Sequence, residues 1–209
     1  MTKIIDNLEL EVTKLKNSIH FNIKNYDKFQ NFYKTIRNIL GVTGDTFSMN
    51  ARNIIGFNDY IKSGIFLYKH ANQMFLNLSE QIRSLEAEGV GLLYIDPVDI
   101  YFIEITDDEF YFLILKTDNF LPIIDDHLEV VNPLREKNNM FFSPELKTLK
   151  SFPLSVSYKS SYYSIAMLVL IGLGKTDELK TESIKNTRLF WALERCLMKD
   201  PQNRTLLYI

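Results

Sequence analysis

The amino-acid sequence predicts a mainly α-helical protein with one small β-hairpin, an α+β fold class. Apolar residues recur every three or four positions over several long stretches, which is the spacing of one face of an α-helix. An alternation of apolar and polar residues, the pattern of a half-buried strand, is sustained over residues 100–114. The 209 residues suffice for one domain, or for one domain with an N-terminal extension.

The N-terminal part of the chain is predicted to be mostly helical. Residues 3–18 carry apolar side chains at helical spacing and predict an amphipathic helix. Residues 19–24 alternate in polarity, which favours a short strand. Asp27 is a suitable N-cap for a second helix over residues 27–40. A loop is predicted for residues 41–50.

The middle of the chain contains the predicted hairpin. Residues 52–68 fit either a helix or a strand, because two glycines interrupt their apolar pattern. Residues 68–87 have a clear helical pattern. Residues 100–114 form the hairpin, with a polar turn at 106–109. The region 116–158, which is rich in proline and aspartate, is predicted to be a loop.

The C-terminal part contains the most apolar segment. Residues 160–172 predict a helix that is buried in the core. The longest apolar run, Ile165–Leu173, is roughly half of the ~20 residues that a membrane span needs. Residues 174–185 predict a linker or a short helix, and residues 186–199 predict a final helix that ends at Asp200-Pro201.

Charge and cysteine content restrict the classes of partner. The 24 basic and 26 acidic residues are mixed along the chain, so we expect neither a nucleic-acid nor a membrane partner. Cys196 is the one cysteine, which fits a reducing compartment. Residues 1–16 lack the apolar core of a signal peptide, so a cytoplasmic location is expected. His20, His70 and His127 have no metal-ligand spacing with Cys196, and we expect no metal and no cofactor.

Three short motifs resemble landmarks of the C-terminal lobe (C-lobe) of protein kinases. Ser143–Glu145 resembles the Ala-Pro-Glu that closes the kinase activation segment, and Ser161–Ala166 resembles the Asp-x-Trp-Ser-x-Gly that opens the central buried helix. Cys196–Arg204 is similar to the family's Cys-Leu-x-x-Asp-Pro-x-x-Arg. The resemblance implies a C-lobe-like domain over residues 66–209, with residues 1–65 as a mostly helical extension in place of the N-terminal lobe.

The resemblance implies a structural ion pair between Glu145 and Arg204. In kinases the Glu of the first motif and the Arg of the last motif form a buried pair. A planar guanidinium can hold a carboxylate with two hydrogen bonds. The alternative is that these are two unrelated surface charges.

The resemblance also implies that the catalytic positions are degenerate. Tyr94 stands in the place of the catalytic Asp, and a phenol with a pKa near ~10 is a poor substitute for a carboxylate at neutral pH. Asp99 stands in the place of a metal-binding Asn, and Asp118 is the nearest match to the Asp of Asp-Phe-Gly, with no glycine after it. The simpler interpretation of Asp99 and Asp118 is that they are turn and cap residues.

These residues lead to one preferred function and two alternatives. The preferred expectation is a catalytically inactive, pseudokinase-like protein that acts as a protein-interaction or scaffold module for a protein partner. ATP binding is expected to be weak or absent, because residues 1–65 offer no glycine-rich phosphate loop. One alternative is a divergent phosphotransferase with relocated carboxylates. The other alternative is a structural component of a viral particle. Asn, Ile and Lys residues are frequent, which is typical of proteins encoded by AT-rich genomes such as those of large DNA viruses. The host cytoplasm or the virion would then be the location of the protein.

Overall fold

The structure is a computed structural model, and it describes residues 2–6, 10–24, 29–116, 119–132, 139–148, 152–174 and 184–209. The strands within these residues are β1 (Thr2–Asp6), β2 (Leu10–Lys14), β3 (Ser18–Ile23), β4 (Thr46–Asn50), β5 (Asn53–Gly56), β6 (Val90–Leu92), β7 (Ile100–Glu104), β8 (Phe110–Ile114), β9 (Phe120–Ile124), β10 (His127–Val130) and β11 (Leu154–Ser157). The helices are α1 (Gln30–Leu40), α2 (Phe57–Lys62), α3 (Tyr68–Glu86), α4 (Pro144–Lys147), α5 (Ser160–Gly172) and α6 (Arg188–Cys196). The strands form three antiparallel sheets, so the prediction of a mainly α-helical fold is wrong.

The first sheet is built from strands β1, β2, β3 and β4 in that order, and it replaces the helix predicted for residues 3–18. The apolar residues that matched helical spacing do not share one face. Val12 is buried in the sheet, whereas the Leu15 side chain is 40% exposed. Leu15 lies in a turn, and its backbone N–H donates a hydrogen bond to the Ser18 carbonyl at 2.8 Å. Pairing of β2 with strands on both sides outweighs the local helical pattern. The strand predicted for residues 19–24 is confirmed as β3.

Helix α1 confirms the helix predicted for residues 27–40, although the proposed cap, Asp27, lies outside the described residues. Phe29 occupies the N-cap position and has no polar side chain to offer. Glu88, which follows the end of α3, accepts a hydrogen bond from the Asn31 backbone N–H at 2.6 Å instead. A carboxylate at a helix N-terminus satisfies an otherwise unpaired N–H and interacts well with the helix dipole. Glu88 therefore ties α1 to α3.

The second sheet has the order β5-β7-β8 and contains the predicted hairpin, which is confirmed. The ambiguous segment 52–68 contains both a strand, β5, and a helix, α2. The predicted helix over 68–87 is confirmed as α3, which packs against β8.

The outer edge of β8 is closed by two polar side chains of α3. The Asn77 side-chain oxygen accepts from the Phe112 backbone N–H at 3.1 Å, and the Gln81 side-chain oxygen accepts from the Ile114 N–H at 2.9 Å. Gln81 also donates to the Phe112 carbonyl at 3.3 Å. Residues four apart lie on the same face of a helix, so these two side chains replace the missing neighbouring strand.

The third sheet has the order β11-β10-β9-β6, and most of it lies in the region 116–158 that was predicted to be a loop, which is wrong. β9 and β10 are joined by a two-residue turn in which Asp125 and Asp126 have φ values of 48° and 63°. Positive φ at both central positions is the geometry of the tight hairpin turn that matches the twist of paired strands. β10 then pairs with β11, so that Leu128 lies opposite Val156.

Helix α5 confirms the buried helix predicted for residues 160–172 and packs against α3 and α6. One hydrophobic core joins residues of the first two sheets with residues of α1, α3, α5 and α6.

The final helix predicted for residues 186–199 is confirmed in a shorter form as α6, and most of the segment 174–185 lies outside the described residues. The described residues before 66 are not mostly helical, while the division of the chain between 65 and 66 stays a prediction. Among the described helices, none has both the length and the apolar character needed to cross a membrane.

Candidate functional site

Glu145 and Arg204 are in direct contact through two hydrogen bonds. The Arg204 Nη1 and Nη2 groups donate to the two Glu145 carboxylate oxygens at 2.6 and 2.7 Å. The Arg204 side chain is fully buried, and its other N–H groups donate to three backbone carbonyls: Met198 at 2.7 Å, Lys199 at 3.1 Å and Lys159 at 3.5 Å. The guanidinium thus joins the short helix α4 to the start of α5 and to the C-terminal segment.

Hydroxyl groups hold α4 in place beside α5. The Ser143 and Ser160 hydroxyls are both buried and lie 2.7 Å apart in a hydrogen bond. The Ser164 hydroxyl donates to the Phe141 carbonyl at 2.8 Å. Pro144 occupies the first turn of α4, where its missing N–H costs nothing. These contacts fix the position from which Glu145 projects.

Glu145 lies in the wall of a groove of about 690 Å³. A volume of this size is typical of ligand-binding clefts. The groove follows the whole length of β11, and its other walls come from α4, from the β9–β10 turn and from the 3₁₀ turn at Pro201–Asn203. The described residues that line it are Asp125, Asp126, His127, Glu145, Thr148, Leu154, Ser155, Val156, Ser157, Tyr158, Lys159, Asp200, Pro201 and Gln202.

β11 is the end strand of its sheet, and one of its two backbone edges faces away from β10. The Tyr158 N–H donates to the Asp126 carbonyl at 3.3 Å, so the backbone of residue 158 points towards β10. Backbone groups alternate in direction along a strand, and therefore those of Val156 point towards β10 while those of Ser155 and Ser157 point away from it. Among the described residues, no strand pairs with this outer edge.

The groove carries an excess of negative charge. Asp125, Asp126 and Asp200 are exposed, and within the described part of the chain no salt bridge is formed by any of the three. Glu145 is neutralised by Arg204. Among the described residues that line the groove, Lys159 is the one lysine or arginine, and its ammonium group lies 3.5 Å from the Gln202 carbonyl.

Tyr158 connects the groove to a half-buried carboxylate. Tyr158 packs edge to face against Tyr162, with ring centroids 6.2 Å apart, and burial and the negative charge of Glu86 raise the pKa of Tyr158. Burial raises the pKa of Glu86, an effect that Tyr162 and Arg83 only partly oppose. The Oε1 atom of the Glu86 carboxylate is buried without a hydrogen-bond partner among the described residues. Burial and the negative charge of Glu86 raise the pKa of Tyr162 as well, so both tyrosines are neutral hydrogen-bonding groups.

The other predicted site residues lie elsewhere. Tyr94 stacks edge-on against Phe142, with ring centroids 4.7 Å apart, at the border of a small cluster under the third sheet. The Asp99 carboxylate lies 3.5 Å from the Lys116 ammonium group and 3.5 Å from the Asn119 amide. Asp118 lies outside the described residues. The structure therefore brings Glu145 and Arg204 together, while Tyr94 and Asp99 are engaged in packing and ion pairing.

Cys196 and His70 are held in environments that suppress their charged forms. Burial raises the pKa of the Cys196 thiol to about 12, so a reactive thiolate is disfavoured at neutral pH. His70 accepts a hydrogen bond from the Leu67 N–H at 2.9 Å. Burial, and to a smaller extent the positive charge of Lys69, lower the pKa of the His70 imidazole. No group of three or more potential metal ligands occurs among the residues that the structure describes.

No protein-family model matches the chain, and no curated protein matches it in sequence. The interpretation of residues 66–209 as a protein-kinase C-lobe is therefore wrong. Three short motifs carried it, whereas the fold mixes helices with three antiparallel sheets and the family models do not recognise it. A contact between one Glu and one Arg is too common a solution for a buried guanidinium to identify a family by itself.

Sequence reasoning missed the residues that form the groove edge. Leu154, Ser155, Val156 and Ser157 alternate between apolar and polar side chains, which is the signal of a half-buried strand. The signal is only four residues long, and it lies in a region where prolines and aspartates favour a loop. The sequence offers no comparable signal for the partner wall, because α4 and the turn after Asp200 come from distant positions.

Proposed function

We propose that this chain is a non-catalytic protein-interaction module that binds an extended segment of a partner protein along the free edge of β11. The observation that carries the proposal is the position of this edge. β11 lines a groove of about 690 Å³, and the backbone groups of Ser155 and Ser157 point away from β10. Addition of a strand to an exposed sheet edge is a recurrent mode of peptide recognition, in which main-chain hydrogen bonds supply affinity.

The surroundings of β11 support a stable docking surface. Leu154 and Val156 anchor the strand on its inner face in a small apolar cluster with Phe142 and Leu146. Arg204 fixes the opposite wall through Glu145. A partner segment therefore meets a preorganised groove, and preorganisation lowers the entropic cost of binding.

The non-catalytic part of the proposal is supported by the environment of Cys196, whose thiol is fully buried. Catalytic acids and bases need pKa values matched to a reaction, and the high thiol pKa of Cys196 disfavours a nucleophilic role for it. A cytoplasmic location remains part of the proposal, supported by the burial of this single thiol.

The test is a pair of variants at the outward-facing position. Proline is tolerated at the outer edge of an end strand, so Ser155→Pro removes the outward N–H while it preserves the pairing of β11 with β10. Ser155→Ala removes the hydroxyl and keeps the N–H, and it is the matched control. Peptides are selected from a displayed random library on the immobilised wild-type protein, and their affinities are then measured by fluorescence anisotropy.

We expect the selected peptides to bind wild type and Ser155→Ala equally well, and Ser155→Pro at least about tenfold more weakly, which corresponds to the loss of about one hydrogen bond. Equal affinity for all three proteins, with Ser155→Pro folded by circular dichroism, overturns the proposal. A melting temperature that rises with ATP and Mg²⁺ also counts against it, because ligand binding to the native state stabilises by mass action.

A further inference from the structure

We infer that the segment docked on β11 is basic: an extended peptide with lysine or arginine side chains, and not a second copy of this chain. The inference rests on the proposed function, because it names the chemistry of the occupant of the same groove. The free strand edge supplies sequence-independent hydrogen bonds, so the side chains around it decide which partners are accepted.

The two acidic turns lie near one end of β11. The Asp126 carbonyl is bonded to the Tyr158 N–H, one residue beyond the end of β11. The 3₁₀ turn that begins after Asp200 reaches the same end, because the Gln202 carbonyl lies 3.5 Å from the ammonium group of Lys159. Both acidic turns therefore line the groove near the end of β11 that leads into Tyr158 and Lys159, with Asp126 on the β10 side of the strand.

Both turns keep their carboxylates at the surface for structural reasons. Asp200 caps its own turn, since its side chain accepts from the Gln202 backbone N–H at 3.0 Å. Asp126 occupies a position with φ of 63°, where aspartate, asparagine and glycine are the residues best tolerated. The cap therefore holds the Asp200 carboxylate in place before a partner arrives, and the turn keeps Asp126 at an exposed position.

The same charges disfavour pairing between two copies of this chain. An edge-to-edge dimer through β11 would bring two sets of Asp125, Asp126 and Asp200 into one interface. Like charges in close juxtaposition oppose association and exclude wrong partners. Lysine or arginine side chains on alternate positions of an added strand relieve this repulsion and approach the acidic turns.

The experiment uses two peptides that differ only in charge. The probes are the fluorescently labelled heptapeptides Lys-Val-Lys-Val-Lys-Val-Lys and Glu-Val-Glu-Val-Glu-Val-Glu, and the full chain is titrated against each one in 20 mM and 500 mM NaCl. The groove variant is Asp126→Asn with Asp200→Asn, since asparagine keeps both the left-handed turn and the cap. The control variant is Asp59→Asn, which removes an exposed charge on α2, at a site that does not line the groove.

We expect the lysine peptide to bind wild type about tenfold more tightly than the glutamate peptide at low salt, with most of the difference lost at high salt. The groove variant reduces the preference to about threefold or less, and the control variant leaves it unchanged. Equal affinity for both peptides, a preference for the glutamate peptide, or no detectable binding of either one overturns the inference. Concentration-dependent dimerisation that Ser155→Pro abolishes also overturns it, in favour of a second copy.

The two proposals fail in different ways. If Ser155→Pro weakens both peptides equally and their affinities are the same, the strand edge binds peptides but is indifferent to charge. If the lysine peptide is preferred and Ser155→Pro leaves its affinity unchanged, the acidic turns attract cations without strand addition. The first result overturns only the basic partner, and the second overturns the proposed function.

Discussion

Glu145→Ala is the substitution whose effect on stability follows most directly from the structure. Arg204 is 0% exposed and directs its N–H groups at five acceptors, two of which are the Glu145 carboxylate oxygens. Loss of the carboxylate leaves a buried guanidinium with only neutral carbonyls as partners. Breaking a buried ion pair on one side costs roughly 3–5 kcal/mol.

The expected cost lies at the lower end of this range. The Glu145 side chain is 23% exposed, so water from the groove reaches the space that the alanine variant opens. A loss of about 3 kcal/mol corresponds to a decrease in Tm of roughly 6–12 °C for a chain of this size. The assay is thermal unfolding followed by circular dichroism at neutral pH.

Two further variants separate the ion pair from general damage to α4. Lys147→Ala changes an exposed residue of the same helix and should leave the Tm within about 1–2 °C of wild type, as surface substitutions usually do. The double variant Glu145→Ala with Arg204→Met should lose less stability than the sum of the two single variants, because each single variant leaves an unpaired partner. An unchanged Tm for Glu145→Ala would show that the buried Arg204 guanidinium does not depend on this carboxylate.

Two other predictions concern α3. Gln81→Leu should destabilise the protein by about 1–3 kcal/mol, because the edge of β8 loses a buried hydrogen-bond partner. Glu80→Ala, on the exposed side of α3, should have little effect. Urea unfolding measures the stability of both variants, and equal unfolding midpoints for the two would contradict the role of Gln81. Glu86→Gln should stabilise the protein at pH 7 and stabilise it less near pH 5. Burial raises the pKa of Glu86 in the folded state above its value in the unfolded chain. The ionised carboxylate therefore destabilises the folded state increasingly as the pH rises from the unfolded pKa through the folded pKa, and the glutamine variant removes this cost. Melting curves at the two pH values test this, and a stabilisation that does not change with pH would contradict it.

Local periodicity was sufficient where one element buries a continuous apolar face. The helix over 68–87, the buried helix over 160–172 and the hairpin at 100–114 each carry a long pattern that only one structure satisfies. The predicted ends of these elements agree with the structure to within about two residues, which is the usual difference between two assignments of a helix or strand end.

Periodicity failed where strands are short and their partners distant. Residues 3–18 match a helical pattern, but the structure forms strands there. Val12 lies in β2, is paired with strands on both sides and is buried, whereas Leu15 follows the end of β2 and is exposed. In the third sheet, β9 pairs with β6, a strand of three residues that lies about thirty positions earlier in the chain. Such pairings depend on tertiary contacts that no local window contains.

The candidate site was predictable only in one contact. The sequence pointed to Glu145 and Arg204, and the structure places them at hydrogen-bonding distance. The groove itself was not predicted, because its edge strand was interpreted as loop and its acidic turns come from residues 125–126 and 200–202. A groove between elements distant in sequence becomes visible only when the sheet order is known.

The amide groups of β11 give the most direct test of strand addition, and NMR-detected hydrogen exchange reads them one by one. In the free protein we expect the Ser155 and Ser157 N–H groups to exchange rapidly and the Val156 N–H to be protected by its bond to β10. A saturating concentration of the lysine–valine heptapeptide should then slow exchange at Ser155 and Ser157. Protection of these two amides before any peptide is added, or rapid exchange at both in its presence, would contradict the account.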